Sequence, residues 1–291
     1  MRSNFIVILS LAIFVTIIES FRPGVSVRRS KTSISAATDA SSSFKLLVLG
    51  GTGFVGREVV RRARAKGMSV VSISRRGKLL GEEDESVTWV SGDASDMKTV
   101  QAVMTDFGPF SGCVHAVGVL FDAQTGVSPL NRFASGSGSI SNSDSTYDRV
   151  IRQTGATAIK CFASDADADV PKPFVYISAA EAGWTVASPV RFIERYLVAK
   201  RSVEDQVMTN KALRPVILRP SLIWNWNKPQ ALPAVVPLYM ASMVGLPFVD
   251  KPIQLSTIAD SAIGALQDPV VRGILRTEDM RAVAAKMTRV V

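Results

Sequence analysis

The chain has 291 residues, of which 47% are hydrophobic, and this is enough for one or two domains with a sizeable core. The formal net charge of +9 would suit nucleic acid or an anionic membrane surface, but a solvated basic helix beside an anionic cofactor explains it more simply, so we do not expect a nucleic-acid partner. The single histidine excludes a His-rich metal site and any mechanism that needs two histidines, while Cys113 and Cys161 read as reduced core thiols that are not spaced for a metal.

The N-terminal segment has the pattern of a targeting sequence. Residues 5–18 are almost entirely apolar, which is short for a membrane span and typical of a signal-peptide core, and the small Ser20 follows. We predict a signal peptide over 1–20 and a transit-like segment over 21–43, which starts with Phe21 and is rich in Ser, Thr and Arg. This order resembles the bipartite presequences of algae with complex plastids, so we expect location in the plastid (chloroplast). A mitochondrial presequence and a signal for the secretory pathway are the alternatives.

The first predicted strand leads into a glycine-rich turn and a helix. Residues 44–49 form an apolar run typical of a buried parallel strand, and 57–66 have a helical pattern. In such a unit Gly50 makes the tight turn, Gly53 lets the backbone approach a pyrophosphate, and Gly56 lets the helix pack on the strand. We therefore predict that the turn binds a dinucleotide through Gly50, Gly51, Thr52, Gly53, Phe54, Val55 and Gly56. A glycine-rich turn without a ligand is the less favoured alternative.

Strands and helices then continue to alternate. Further strands are predicted over 68–74, 87–90, 112–119 and 174–177 and from residue 214, and helices over 96–107, 147–163 and 190–210. Residues 121–146 are rich in Gly, Ser and Asn and read as a flexible insertion. This alternation indicates an α/β fold with a doubly wound parallel sheet and helices on both faces.

The end of the second strand predicts which dinucleotide binds. Sites that prefer NAD(H) place an Asp or Glu about twenty residues after the glycines, where it accepts hydrogen bonds from the ribose. Here the strand ends in Arg75 and Arg76, and no acidic residue follows before Glu82. Because arginines bind a 2′-phosphate that a carboxylate would repel, we predict that NADP(H) is preferred over NAD(H). We expect at most one of the two arginines to point into water.

Five segments of the chain resemble the short-chain dehydrogenase/reductase superfamily in its extended and atypical branches. They are 50–56, 92–93, 174–178, 196–200 and 218–220, and the likeness spans roughly residues 44–270. The sequence looks closest to atypical members, such as plastid proteins of unassigned activity, coenzyme Q biosynthesis accessory proteins and the Rossmann-type accessory subunit of respiratory complex I. The resemblance implies a Rossmann domain over 44–220 and a small C-terminal substrate or lid region over 221–291, packed on the same domain.

The resemblance also implies roles for residues after the third and fourth strands. Asp93 and Ala94 would border the adenine, and Ala116, Val117 and Gly118 would line the cofactor. Together with the glycine turn and the two arginines, these positions make up the predicted cofactor site.

Tyr196 and Lys200 are the predicted catalytic residues. They are four residues apart and therefore share one face of the helix after the fifth strand. The resemblance implies that Tyr196 is the acid and base for hydride transfer. It also implies that Lys200 lowers the Tyr196 pKa and binds the nicotinamide ribose as part of the cofactor site.

One position departs from the superfamily pattern. Active extended members carry a Ser or Thr shortly after the fifth strand to bind the substrate carbonyl oxygen, and here that slot falls at Ala180. Ser178 lies two residues earlier and is a weaker catalytic candidate, and Thr185 or Ser188 are further substitutes. A missing hydroxyl would remove part of the oxyanion stabilisation, which argues against vigorous turnover.

Residues 229–249 contain no charged side chain and are interrupted by prolines, which argues against a membrane-spanning helix. The pattern suits an apolar substrate lid or peripheral contact with a membrane interface, and buried helices are the alternative. We expect an NADPH-dependent plastid oxidoreductase that acts on an apolar, quinone- or isoprenoid-like substrate. The alternatives are a non-catalytic NADPH-binding structural or assembly protein of a membrane-associated complex and, on charge alone, an RNA-binding Rossmann protein.

Overall fold

The computed structural model describes residues 44–78, 86–125, 128, 143–165, 170–185, 188, 190–225 and 250–288. Three predictions fall outside the described residues: the presequence over 1–43, most of the insertion over 121–146, and the apolar segment 229–249. No helix in the described ranges is both long enough and apolar enough to cross a membrane.

The strands are predominantly assembled into one parallel sheet. In chain order they are β1 (Lys45–Leu49), β2 (Ser69–Ser74), β3 (Val87–Ser91), β4 (Gly112–His115), β5 (Lys172–Ile177), β6 (Leu213–Leu218), β7 (Ile223–Trp224), β8 (Ile253–Gln254) and β9 (Gly273–Leu275). Within the described ranges, seven strands form a sheet in the order β3-β2-β1-β4-β5-β6-β9, and β7 pairs with β8 separately. The strand order reverses between β1 and β4, and ligands of such sheets bind in the crevice at this switch point. The predicted doubly wound parallel α/β fold is confirmed.

Helices cover both faces of this sheet. They are α1 (Phe54–Ala65), α2 (Met97–Phe107), α3 (Thr154–Ser164), α4 (Arg191–Thr209), α5 (Leu255–Gln267) and α6 (Thr277–Thr288). One core lies between the sheet and α2, α3 and α4, and the second lies between the sheet and α1 and α5, with α6 packed on α5. Because both faces are covered, a central strand such as β1 is a continuous apolar run and does not alternate.

The first helix shows how the C-terminal region docks. The residues of α1 that are buried against the sheet are Gly56, Val59, Val60 and Ala63, while Arg57 and Arg61 are exposed. Between these two faces, Arg62 forms an ion pair with Asp260 of α5 at 3.1 Å. The region after residue 220 therefore contributes α5 and β9 to the body of the fold.

The elements that differ from the prediction include β4, the start of the helix before α3, and β9. The fourth strand ends at His115, because the chain leaves the sheet there while Val119 still packs in the core. The helix predicted over 147–163 begins as a π-helix, Asp148–Gln153, before α3. The seventh strand of the sheet, β9, was not predicted, since it has three residues at the sheet edge and Ile274 in its centre is 42% exposed.

Candidate functional site

The glycine turn joins β1 to α1 at the switch point. Gly50 has a φ of 88°, a left-handed conformation that favours glycine, and its N–H donates to the Ile73 carbonyl at 2.8 Å. The Gly53 N–H donates to the Gly50 carbonyl at 2.8 Å, and a Cβ on Gly56 would lie 2.1 Å from the same carbonyl oxygen. A side chain at Gly56 would therefore collide with the backbone of the turn.

The start of α1 opens onto this turn. The first N–H groups of a helix have no intrahelical acceptor, and the helix dipole places partial positive charge there. Gly53 is the N-cap and supplies no side-chain cap, and the first turn of α1 carries no acidic residue. These residues fit the pyrophosphate of a dinucleotide, because no carboxylate in that turn competes with a bound anion.

The ends of β2 and β3 bring together the residues predicted for the adenosine half. Arg75 and Arg76 directly follow β2 and are both exposed. Arg75 Nη1 lies 3.4 Å from Ser145 Oγ, so this side chain points across the edge of the sheet. Asp93 follows β3 and is partly buried, with Ala94 buried beside it.

The segment after β4 connects the glycine turn with α4. The Ala116 N–H donates to the Leu49 carbonyl at 2.9 Å, which places this segment beside the end of β1. Val117 is partly buried and Gly118 is exposed. A Cβ on Gly118 would lie 3.5 Å from Lys200 Nζ, so the predicted cofactor-lining segment runs from the turn to this lysine.

Tyr196 and Lys200 lie together on the face of α4 that packs towards β5. Lys200 is only 3% exposed, and its Nζ donates to the Ile177 carbonyl at 2.8 Å. The same nitrogen lies 5.0 Å from the centre of the Tyr176 ring and 5.8 Å from the centre of the Tyr196 ring. Burial lowers the pKa of Lys200 to about 8, and the charge of Glu204 opposes this only in part.

The expected lowering of the Tyr196 pKa is not found. Burial raises this pKa, and the charge of Glu181 and the phenol of Tyr147 raise it further. The Tyr147 ring packs edge-on against Tyr196 with 5.6 Å between the ring centres, which explains part of the burial. Desolvation of the phenolate is the largest of these causes, and Lys200 is not among the groups that shift the Tyr196 pKa. The phenol remains protonated at neutral pH, which suits a proton donor.

Ser178 carries a side-chain hydroxyl on the side of β5 that faces α4, and Ala180 carries none. Ala180 is buried and its N–H donates to the Pro220 carbonyl at 2.8 Å. Ser178 continues the ladder of β5 through an N–H that donates to the Leu218 carbonyl at 2.8 Å, so its side chain shares the α4-facing side of Tyr176. The buried Ser178 Oγ has no hydrogen-bond partner among the described residues. A hydroxyl group is therefore present on the α4 side at Ser178.

The loop after β5 is fastened to α4. Arg201 donates to the Ala182 carbonyl at 3.1 Å and to Glu194 at 3.2 Å. Glu194 in turn accepts the Ser188 N–H at 2.6 Å. Ser188 and Thr185 are the two further candidates for the hydroxyl group that Ala180 lacks. The backbone of Ser188 is fixed in the loop by its bond to Glu194, and Thr185 is exposed.

Two residues behind the candidate site were missed by the sequence reasoning. Glu204, one turn after Lys200, is buried and accepts two hydrogen bonds from Arg219, at 3.0 and 2.5 Å. The sequence did contain a signal for Glu204, because this residue continues the four-residue spacing of Tyr196 and Lys200. Arg219 lies in the segment 218–220 that carried the resemblance, but that segment gave no role for it.

His115 is fully buried at the end of β4. Its Nε2 lies 3.0 Å from Thr154 Oγ1, and the Thr154 hydroxyl donates to the Val150 carbonyl at 2.8 Å, so the imidazole is the donor to Thr154. Burial and then the charge of Lys200 lower the pKa of His115 to about 3. The imidazole is therefore neutral at physiological pH and packs against the Tyr176 ring at 5.4 Å between centres.

Comparison with known proteins gives a family and several relatives, two of which are the following. The profile of the family described as NAD(P)H-binding matches residues 50–269. An uncharacterised chloroplastic protein of Arabidopsis thaliana is 25% identical over 265 residues, which cover 84% of this chain and 79% of that protein. MIOREX complex component 2 of Saccharomyces cerevisiae is 22% identical over 214 residues, which cover 63% of this chain and 74% of that protein.

Solved structures show the same fold. A short-chain dehydrogenase of Burkholderia cenocepacia in complex with NADP matches with a TM-score of 0.56 at 12% identity, covering 85% of this chain and 92% of that one. Other structures with this fold hold NAD. At such low identity the likeness establishes the fold, and it leaves the choice between the two dinucleotides to the residues of the site.

Proposed function

Because the chain belongs to the NAD(P)H-binding family, as an atypical member of the short-chain dehydrogenase/reductase superfamily, we propose that it is an NADPH-dependent oxidoreductase that reduces an apolar substrate in the plastid. The observation that carries this proposal is the meeting of Tyr196 and Lys200 beside Gly118. A buried ammonium group is unfavourable for folding, so a lysine that is 3% exposed beside a tyrosine is a candidate for function.

The described residues would hold the dinucleotide along the carboxyl ends of the strands. The turn 50–56 would bind the pyrophosphate, and Ala116 to Gly118 would lead the nicotinamide half to Lys200. The exposed Arg75 and Arg76 support NADPH over NADH, since guanidinium groups pair with a 2′-phosphate. NADPH supplies a hydride when it is bound.

The chain's own residues would then handle the proton. As a hydride adds to the substrate carbonyl carbon, the oxygen becomes negative, and Tyr196 donates its phenolic proton to give the alcohol. The phenol is protonated at neutral pH, so it carries the proton that this step needs. Lys200 places positive charge beside the ring, and the unpartnered Ser178 Oγ supplies a hydrogen bond to the same oxygen in place of Ala180.

The substrate class and the location rest on the sequence and on one relative. The uncharged segment 229–249 supports an apolar, quinone- or isoprenoid-like substrate and a peripheral contact with a membrane. The chloroplastic relative in Arabidopsis thaliana, together with the presequence pattern over 1–43, supports the plastid.

A second candidate function is a non-catalytic NADPH-binding protein of an assembly. Ala180 in the hydroxyl slot favours it, and so does the relative that is named as a component of a complex. In this case the dinucleotide would stabilise the fold, and Tyr196 would only pack.

The test is NADPH oxidation by the purified protein with a panel of quinones and enals. We expect turnover in the wild type and none in Tyr196→Phe, whose NADPH affinity should be nearly unchanged because the variant lacks only the proton donor. Lys200→Ala should weaken both binding and turnover. Tyr147→Phe is the matched control, since this second tyrosine is 5.6 Å away between ring centres and should be dispensable for turnover.

Two outcomes would separate the candidate functions. Full turnover in Tyr196→Phe would show that the acid/base assignment is wrong. NADPH binding without oxidation by any member of the panel would favour the assembly protein.

A further inference from the structure

Residues 143–149, where the chain returns from the insertion, reach over the ends of β2 and β3. Arg75, after β2, lies 3.4 Å from Ser145 through Nη1 and Oγ. Arg149 Nη2 donates to Oδ2 of Asp93, after β3, at 3.0 Å. In a doubly wound sheet of this strand order the adenosine half of a dinucleotide lies at the ends of these strands. The segment therefore borders the space in which adenosine would bind.

The Arg149 guanidinium is fixed by its edges. Besides the bond to Asp93, Nη1 donates to Asp144 Oδ2 at 3.1 Å, and Nε lies 3.4 Å from Ser95 Oγ. The side chain nevertheless remains 43% exposed. The N–H groups of a guanidinium lie in its plane, and three of the five engage these partners. All three edges of the group are therefore tethered, and its flat face is the broadest part left for a ligand.

The carboxylates around Arg149 also offset its charge. Asp93 Oδ1 accepts the Ser95 N–H at 2.9 Å and the Ser95 hydroxyl at 2.8 Å. Partial burial raises the pKa of Asp93, but these bonds and the bond from Arg149 outweigh it, so the pKa lies below its usual range. An arginine held by Asp93 and Asp144 is a weak partner for a phosphate group.

From this arrangement we propose that Arg149 binds the adenine ring by stacking its guanidinium plane on the base. This inference rests on the proposed dinucleotide binding and assigns a residue that the sequence did not indicate. A planar guanidinium that is held in place by its edges can stack on aromatic faces, and such contacts with bases are insensitive to substituents elsewhere on the ligand. On this proposal Arg149 serves NADPH and NADH alike. Arg75, which lies 3.4 Å from the Ser145 hydroxyl, is the residue expected to discriminate between them.

The test is a set of titrations of the full chain with NADPH, NADH, 5′-AMP and nicotinamide mononucleotide, which lacks adenine. Arg149→Ala should weaken NADPH, NADH and 5′-AMP by the same factor, about tenfold, and leave nicotinamide mononucleotide unchanged. Arg149→Lys keeps the charge but not the plane, so it should lose as much. Arg152→Ala is the matched control, because Arg152 is also exposed, is paired with Asp148 on the same helical segment, and should change nothing.

Unfolding scans of each variant separate a folding defect from a binding defect. If Arg149→Ala is unstable, Arg149→Met retains the bulk of the stem and should show the same uniform loss. Unchanged binding in a folded Arg149 variant would overturn the inference alone, as would a loss confined to NADPH, which would make Arg149 a phosphate ligand. A wild-type protein that binds neither dinucleotide would overturn the proposed function together with this inference.

Discussion

Lys200→Met should separate the stability of the fold from its function. Burial lowers the pKa of Lys200 from 10.5 to about 8, so the charged lysine is less favourable in the folded state than in the unfolded one. Because a tenfold change in an equilibrium constant is worth about 1.4 kcal/mol, the charged form costs the fold about 3 kcal/mol. Methionine has a similar length and no charge, so it removes this cost. It also leaves the Ile177 carbonyl without its partner, which loses about 1–3 kcal/mol.

The two effects nearly cancel at neutral pH, so the pH dependence is the informative quantity. Below about pH 8 both states of the wild type carry the proton, and the full cost is present. As the pH rises from about 8 to 10.5 the folded protein releases the proton before the unfolded chain does, so the wild type gains stability. Between about pH 7 and pH 10 the wild type should gain about 2–3 kcal/mol relative to Lys200→Met.

The assay is urea unfolding of both proteins across this pH range. Other titrating groups affect both proteins equally, so they cancel in the difference between the two free energies of unfolding. Lys98→Met is the control: Lys98 is exposed, and this variant should track the wild type at every pH. A difference between wild type and Lys200→Met that stays constant with pH would refute the claim that Lys200 is charged and desolvated. We expect turnover and NADPH binding to suffer in Lys200→Met even where the fold becomes more stable.

The remaining predictions concern cofactor choice and location. Hydrogen bonds to charged groups are worth about 1.5–3 kcal/mol, and exposure reduces this, so NADPH should bind roughly ten- to hundred-fold tighter than NADH, with a preference that weakens as salt rises. In fluorescence titrations, the double variant Arg75→Ala/Arg76→Ala should bind NADPH and NADH with nearly equal affinity. An unchanged ratio of the two dissociation constants would contradict the claim that these arginines bind the 2′-phosphate. Residues 1–43 fused to a fluorescent protein should direct it to the plastid with cleavage before Phe21, and a charged residue at Phe21 should block delivery. Import into mitochondria, or no effect of changing Phe21, would contradict the bipartite presequence.

The parts of the fold that were predictable are those with a continuous local signal. Strands β1 and β5 are buried on both faces, so each appears in the sequence as a largely apolar run. Strand β2 is also buried beyond its first residue, and its Val and Ile residues gave the signal although three of its six residues are serines. The end of β4 was predicted too late, because the apolar pattern continues to Val119, a residue that packs in the core without pairing in the sheet. The three residues of β9 gain their strand character from pairing with β6, which no local pattern records.

In the candidate site, too, features with a local sequence signal were predictable and features that depend on tertiary contacts were not. That Tyr196 and Lys200 lie together was predictable, because their spacing places them on one helical face, and Glu204 continues that spacing. Arg149 meets Asp93 across 56 residues of sequence, a contact that exists only once the sheet has formed. The prediction that the Tyr196 pKa is lowered was wrong for a related reason. Burial by neighbouring elements raises this pKa, and sequence spacing carries no information about burial.

The most direct test of the account is the crystal structure of the protein with bound NADPH. We predict the pyrophosphate at the glycine turn 50–56, the 2′-phosphate beside Arg75, the adenine against Arg149, and the nicotinamide ribose within hydrogen-bond distance of Lys200 with the nicotinamide ring facing Tyr196. A glycine turn without the pyrophosphate at saturating NADPH, or a nicotinamide ring directed away from Tyr196, would contradict the proposed function.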